Sequence, residues 1–231
     1  MLIIYLYNII VNTVKTRRKI GFPRRKEEWA KAPAVYDDHS LRIAGHPVME
    51  DWEIGYMQKL AQIASSNHGT VLEVGYGLGL SAKALQSNGI DVHYVIECHP
   101  DVVTKCVQDF HQAIAENRMH VLSGFWEDVT SLLPGESFDG ILFDTYPLSE
   151  EQIHSNHFWF FEEAYRLLKP GGIFTYYSDE ASNFSDLHLA KLKAAGFKKK
   201  NIRYEICKVN PPKNCEYWQE KTILAPIVRK G

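Results

Sequence analysis

The stretch VLEVGYGLG, Val71 to Gly79, decides the fold. An apolar run of strand length enters a loop with glycine at every second position, and an amphipathic segment, residues 78–87, follows. Glycines at a strand-to-helix turn let the backbone bend sharply and come close to a ligand, and the helix start offers it unpaired N–H groups. The next apolar run ends at Glu97, 22 residues after Gly75. In a doubly wound α/β fold, an acid at that carboxyl edge meets ribose hydroxyls. Plainer alternatives are a purely structural glycine turn and a Glu97 that only caps the helix beginning near Asp101. Together the loop and the acid point to a nucleoside-containing cofactor, either a dinucleotide or S-adenosylmethionine.

Working outward, further strand-length apolar runs occupy residues 92–96, 119–122, 140–143 and 173–177. Between them lie helix-like segments at 101–116 and 149–168, with turns at Pro134-Gly135 and Pro170-Gly171-Gly172. Alternation of this kind predicts βαβ units and a parallel sheet covered on both faces. Residues 201–209 and 218–228, divided by Pro211-Pro212, read as a terminal hairpin-like pair. Ahead of the loop, Trp52, Ile54, Met57, Leu60, Ala61 and Ala64 fall at helical spacing. The expected architecture is an α/β, doubly wound, mostly parallel seven-stranded sheet of Rossmann-like type with an N-terminal helical cap. It forms one domain over residues 29–231.

Composition narrows the partners. The 231 residues are 45% hydrophobic, which suits a sizeable core and excludes global disorder. Lys+Arg 26 against Asp+Glu 28 gives a net charge of -2, so there is no basic field to recruit nucleic acid. The cysteines Cys98, Cys106, Cys207 and Cys215 contain no CxxC pair, which points to a reducing, cytoplasmic location. The N-terminal run MLIIYLYNIIVNTV precedes a stretch, residues 15–26, in which seven of twelve residues are basic. That order is the reverse of a secretory signal, and the run is too short to span a bilayer. An interfacial anchor with a polybasic tail is the alternative for this run, though a membrane partner is not expected. Residues 1–28 are read as an extension outside the domain that need not be ordered, and deletion of Met1 to Lys26 is expected to spare activity.

The loop in full is Glu73-x-Gly75-x-Gly77-x-Gly79, the form common to class I methyltransferases. A dinucleotide loop more often carries an apolar residue in place of Glu73, and no GK[ST] follows to suggest phosphoryl transfer. LRIAGHPVMEDWEIGYM (residues 41–57), GFWEDV (124–129), FDGILFDTYPLSEE (138–151) and RLLKPGG (166–172) closely resemble the guanidinoacetate N-methyltransferase family. The resemblance runs from Trp29 to the C-terminal PIVRKG. It implies an S-adenosylmethionine-dependent transfer of methyl to a guanidino nitrogen of a small molecule, guanidinoacetate giving creatine. By the same resemblance, Tyr76, Gly77, Leu78, Gly79, Leu80 and Ser81 wrap the amino-acid portion and ribose of the cofactor. Glu73 lies beside the methionine portion, Glu97 takes the ribose hydroxyls, Cys98 and His99 border the adenine, and Phe125 and Trp126 lie against the base. Trp29, Met49 and Met57 close the site from the N-terminal side, and Asp144 borders both cofactor and acceptor.

The chemistry explains why two acids are needed. A guanidinium has no free lone pair, so a proton must leave around the time of methyl transfer. Carboxylates on two sides can grip the planar fork and localise its charge away from the attacking nitrogen. Glu53 and Asp144 match the family's catalytic acids, while Met49, Tyr146, Asp179 and Glu180 are expected near the acceptor. His154 and His157 stand three apart, but no HExxH motif or cysteine partner supports a metal, and none is expected. The oligomeric state is expected to be monomer or homodimer. One segment departs from the family: after the fifth strand the chain reads TYYSDEASNF and lacks a longer insertion. Ser178, Asp179 and Glu180 occupy the positions whose backbone would hold the acceptor's carboxylate, and an acid facing inward there would repel it. Another small guanidino or amine acceptor therefore stands beside guanidinoacetate. From other classes, a nicotinamide-dependent oxidoreductase and a non-catalytic ligand-binding homologue also remain.

Overall fold

The fold is described from a computed structural model covering residues 21–231. The apolar N-terminal run and the first half of the basic stretch after it, residues 15–20, lie outside the described residues. Helix α1 (Lys26–Trp29) leads into strands β1 (Ala34–Tyr36), β2 (Ser40–Ile43) and β3 (His46–Glu50), which form a small antiparallel sheet in the order β1-β2-β3. A 3-10 turn, Asp51–Glu53, opens directly into α2 (Ile54–Ala64). The N-terminal cap is therefore part sheet, and the helical cap expected from the sequence needs that correction. Ala44 and Gly45, at φ 50 and 80, make the two-residue turn between β2 and β3. Strands this short, with one face only partly covered, carry little alternation to read.

The main sheet has seven strands in the order β6-β5-β4-β7-β8-β10-β9. They are β4 (Thr70–Val74), β5 (Val92–Glu97), β6 (Met119–Ser123), β7 (Phe138–Phe143), β8 (Leu168–Tyr176), β9 (Ile202–Lys208) and β10 (Thr222–Arg229). The first five are parallel, and β10 runs antiparallel to both β8 and β9. The crossovers are α3 (Leu80–Ser87), α4 (Pro100–Asp109) with α5 (His111–Ala115), α6 (Trp126–Val129), α7 (Asn156–Leu167) and α8 (Asp186–Ala194). The expected helix at 101–116 is broken at Phe110, and the one at 149–168 begins only at Asn156. Pro170-Gly171-Gly172 lies within β8, at the register irregularity between Phe138 and Gly140 of β7, where a turn was expected.

Each central strand feeds two layers, the pattern a doubly covered parallel sheet demands. Leu72, Val74, Ile141 and Phe143 face one layer with Phe160, Phe161 and Leu167 of α7. Val71 and Leu142 face the other, with Met57, Leu60, Ala61 and Ala64 of α2. Gly140 of β7 is required by that second contact, because a Cβ there would sit 1.8 Å from the Ala64 carbonyl oxygen.

Candidate functional site

Strand order reverses between β4 and β7, so the loops leaving their carboxyl ends diverge and leave a crevice, where open α/β sheets bind ligands. Gly75 N–H donates to the Ile96 carbonyl at 2.9 Å, and Asp144 N–H donates to the Val74 carbonyl at 2.9 Å. These bonds extend the sheet by one residue and then release both chains into the crevice. Gly75 has φ +91, and a Cβ there would lie 1.9 Å from the Asp144 carbonyl oxygen. Only glycine allows the two loops to touch at this point.

Glu97, 8% exposed at the end of β5, accepts hydrogen bonds from Tyr76 N–H (2.9 Å) and His99 N–H (2.8 Å). One carboxylate thus fixes both the glycine loop and the turn into α4. Each oxygen keeps a lone pair for a hydroxyl donor. Apolar residues line the cavity with it, among them Ile96, Cys98, Val102, Phe125 and Trp126. Trp126 packs edge-on against Phe143 and Phe160. A carboxylate for a diol beside a slot for a flat ring fits the nucleoside end of the expected cofactor.

The roof comes from the N-terminal segment. Trp29, 3% exposed, stacks on Tyr146 at 5.0 Å and 7°. The Tyr146 hydroxyl lies 3.0 Å from His46 Nδ1, and Phe22 stacks on the other side of His46. Lys26 reaches Asp128 at 2.6 Å. Residues 22–29 therefore pack onto the domain, and the working fold starts earlier than Trp29.

The acceptor end holds two carboxyl groups in one cavity with the glycine loop. Glu53, 2% exposed, accepts from Glu50 N–H at 2.9 Å and from the Tyr217 hydroxyl. Burial, reinforced by the neighbouring Asp144 charge, pushes its carboxyl up to about 8. Asp144 is raised to about 7, by burial first and then by the charges of Asp179 and Glu73. Both acids thus hold a proton far more readily than a free carboxylate, through desolvation first and then repulsion by neighbouring carboxylates. Tyr217 is 164 residues from Glu53 in sequence, and no local pattern marks it.

Of the residues singled out from the sequence, Trp29, Met49, Glu53, Gly77, Glu97 and Cys98 line this cavity, as do Phe125, Trp126, Asp144, Tyr146 and Asp179. Others lie outside its lining, each with a role in the fold. Met57 is fully buried under the sheet, and Tyr76 is buried with its hydroxyl on Asp109. His99 caps α4 and contacts the Ala32 carbonyl. Leu78, Gly79, Leu80 and Ser81 form the turn into α3, and Gly79 is its left-handed N-cap. Ser81 donates to Glu73, which is fully buried and 3.0 Å from His93, so the strand acid faces a polar contact inside the fold. Glu180 turns away, accepting from Ser185 N–H at 3.0 Å and pairing with His188 at 3.2 Å. Its neighbour Asp179 faces inward, with Oδ1 2.9 Å from His154 Nδ1. Among the described residues, no group of three or more His, Cys, Asp or Glu is arranged to hold a metal ion.

Comparison with known proteins gives the family and the fold. The sequence model described as guanidinoacetate N-methyltransferase matches residues 23–231. Protein arginine N-methyltransferase 2 of Yarrowia lipolytica is 32% identical over 217 residues, covering 86% of this chain and 44% of its own length. The chain thus spans less than half of that curated relative. Among solved structures, spermidine synthase from Thermotoga maritima superposes with a TM-score of 0.61 at 15% identity, covering 86% of this chain and 72% of that one. An O-methyltransferase from Bacillus cereus, in complex with SAH, superposes with a TM-score of 0.52 at 17% identity, covering 79% and 82%. These likenesses show the class I methyltransferase-like fold.

Proposed function

The chain belongs to the guanidinoacetate N-methyltransferase family, and on that premise we propose that it transfers a methyl group from S-adenosylmethionine to a guanidino nitrogen. The observation that carries the reading is the pairing of Glu53 and Asp144 in one cavity beside the Gly75–Glu97 crevice. Glu97 is suited to the ribose hydroxyls, the Gly75 and Gly77 backbone to the amino-acid portion, and Phe125 and Trp126 to the adenine. The bound cofactor supplies an electrophilic methyl on a sulfonium, which leaves as a neutral thioether.

The protein's own part is proton management and alignment. A guanidinium entering the cavity meets Glu53 on one side and Asp144 on the other, and it displaces the protons they carry. Ionised, the two acids hold the fork by charge-assisted hydrogen bonds and leave one nitrogen pointed at the donor site. As the N–C bond forms and the S–C bond breaks, the surplus proton of that nitrogen passes to a carboxylate. Carboxyls raised to about 7 and about 8 can both take and release a proton near neutrality. Tyr217 fixes the Glu53 rotamer through its hydroxyl.

The family name supports guanidinoacetate, giving creatine, as the first acceptor to test. The arginine methyltransferase relative supports a protein arginine side chain as a second. Incubation with methyl-labelled S-adenosylmethionine and a panel of guanidino compounds should yield labelled product. Asp144→Asn should abolish it while leaving the cofactor's Kd within about threefold, because Asn preserves the shape and removes the charge. Undiminished turnover in that variant refutes the assignment.

A further inference from the structure

The cavity's charge is one-sided. Among the described residues its lining includes the acids Glu53, Glu97, Glu127, Asp144 and Asp179, and neither a lysine nor an arginine. Asp179 is held with φ +54 and His154 with φ +58, an uncommon backbone conformation for residues other than glycine. These backbones aim the two side chains at each other across the cavity wall, at 2.9 Å. Beneath them His157 is 1% exposed, and its Nδ1 lies 3.9 Å from Asp179 Oδ2. Both His157 ring nitrogens are buried and have no hydrogen-bond partner among the described residues. His157 is also stacked on Tyr176 at 5.2 Å and 18°, so it cannot swing away to find one. A buried imidazole facing a cavity with both nitrogens unused marks a place where a ligand group completes the hydrogen bonding.

Resting on the methyl-transfer reading above, we infer that Asp179 and His157 form a tail subsite that selects acceptors whose second group is an amine rather than a carboxylate. The donor count decides between the two. An ammonium carries three N–H donors and no acceptor, so it can serve the Asp179 carboxylate and the lone pair of a neutral imidazole together. A carboxylate offers only acceptors. It would face the like charge of Asp179; among the described residues of the lining no lysine or arginine offsets that charge, and His154 is already engaged with Asp179 at 2.9 Å. Burial holds the His157 ring well below its ordinary value, at about 3, so it stays neutral and cannot act as that cation. The guanidino end is still gripped by Glu53 and Asp144, and the tail subsite alone sets the preference. The chemical class is a short aminoalkylguanidine.

The test compares kcat/KM for 2-aminoethylguanidine, guanidinoacetate and an arginine-containing peptide, in the wild-type chain and in Asp179→Asn. The expected result is at least a tenfold preference for the amine in the wild type. In Asp179→Asn that preference should collapse, mainly through KM of the amine, while guanidinoacetate improves. Asp179→Leu serves as the second variant and should move the ratio the same way. Preference for guanidinoacetate or for the peptide in the wild type overturns the inference, as does a ratio that neither variant moves. Absence of methylation on all three acceptors refutes the methyl-transfer reading instead, so the two failures are distinguishable.

Discussion

Replacing Glu53 by glutamine should stabilise the fold in alkali while disabling the site. The side chain is 2% exposed, and one oxygen accepts from Glu50 N–H and the Tyr217 hydroxyl, contacts that an amide oxygen can keep. In the folded chain the carboxyl is raised from 4.5 to about 8. The sign follows from linkage: below pH 4.5 the group is protonated in both states and costs nothing. As pH rises through the window up to about 8, the unfolded chain ionises freely and the folded one resists, so stability falls. At about 1.4 kcal/mol for each tenfold change in proton affinity, the loss by pH 9 approaches roughly 5 kcal/mol. Glutamine does not ionise and escapes it. With about 2–4 °C per kcal/mol for a chain of this size, the variant should melt at least about 8 °C above wild type at pH 9. The two should coincide within about 2 °C at pH 5, which is the control on packing. Thermal unfolding by circular dichroism or calorimetry across that range measures the difference. Parallel pH dependence in the two proteins refutes the claim that Glu53 carries the buried charge.

Other expectations follow from the same geometry. Glu97→Ala removes the acceptor for two loop N–H groups as well as for the ribose, so titration calorimetry should show cofactor binding weakened by about 1.5–3 kcal/mol, the scale of charged hydrogen bonds. Gly140→Ala drives a Cβ into the Ala64 carbonyl, and overpacking of roughly 3 kcal/mol should lower Tm by about 6–12 °C without changing the site's residues. Acceptor binding should release protons and tighten as pH rises from about 6 to 9, since the guanidinium needs Glu53 and Asp144 ionised. Calorimetry in two buffers of different ionisation enthalpy would show equal heats if that coupling were absent.

The central sheet was legible because its signals are local. The apolar runs at β4, β5, β6 and β7 fall within one or two residues of the strands observed, and the acid at the end of β5 is legible from its strand edge, whereas Asp144 after β7 is singled out by the resemblance to the family. What escaped depends on contacts far apart in the chain. Tyr217 reaches Glu53 only because the segment before β10 folds back over α2, and no residue near either one announces it. The small sheet ahead of α2 carries one local signal, the Ala44-Gly45 turn between two short runs, and it is weaker than the helical spacing after it. Helix α8 likewise carries a Ser185 cap on the His188 N–H. Its residues lack an amphipathic stripe, so periodicity was silent. That Asp179 faces the cavity while Glu180 faces His188 was open in the sequence and is decided by the left-handed backbone at Asp179.

The contact between Gly75 and the Asp144 carbonyl has a mechanical consequence. It makes the glycine loop and Asp144 a single piece, so neither can shift without displacing the other. Glu53, Asp179 and Tyr217 enter from three other segments, with Tyr217 bonded to Glu53. On the proposed reading, substitutions in those segments would reshape what is methylated while the distance from the glycine loop to Asp144 stays set, which would make acceptor choice and methyl-donor handling separable design variables with Asp144 as their common datum.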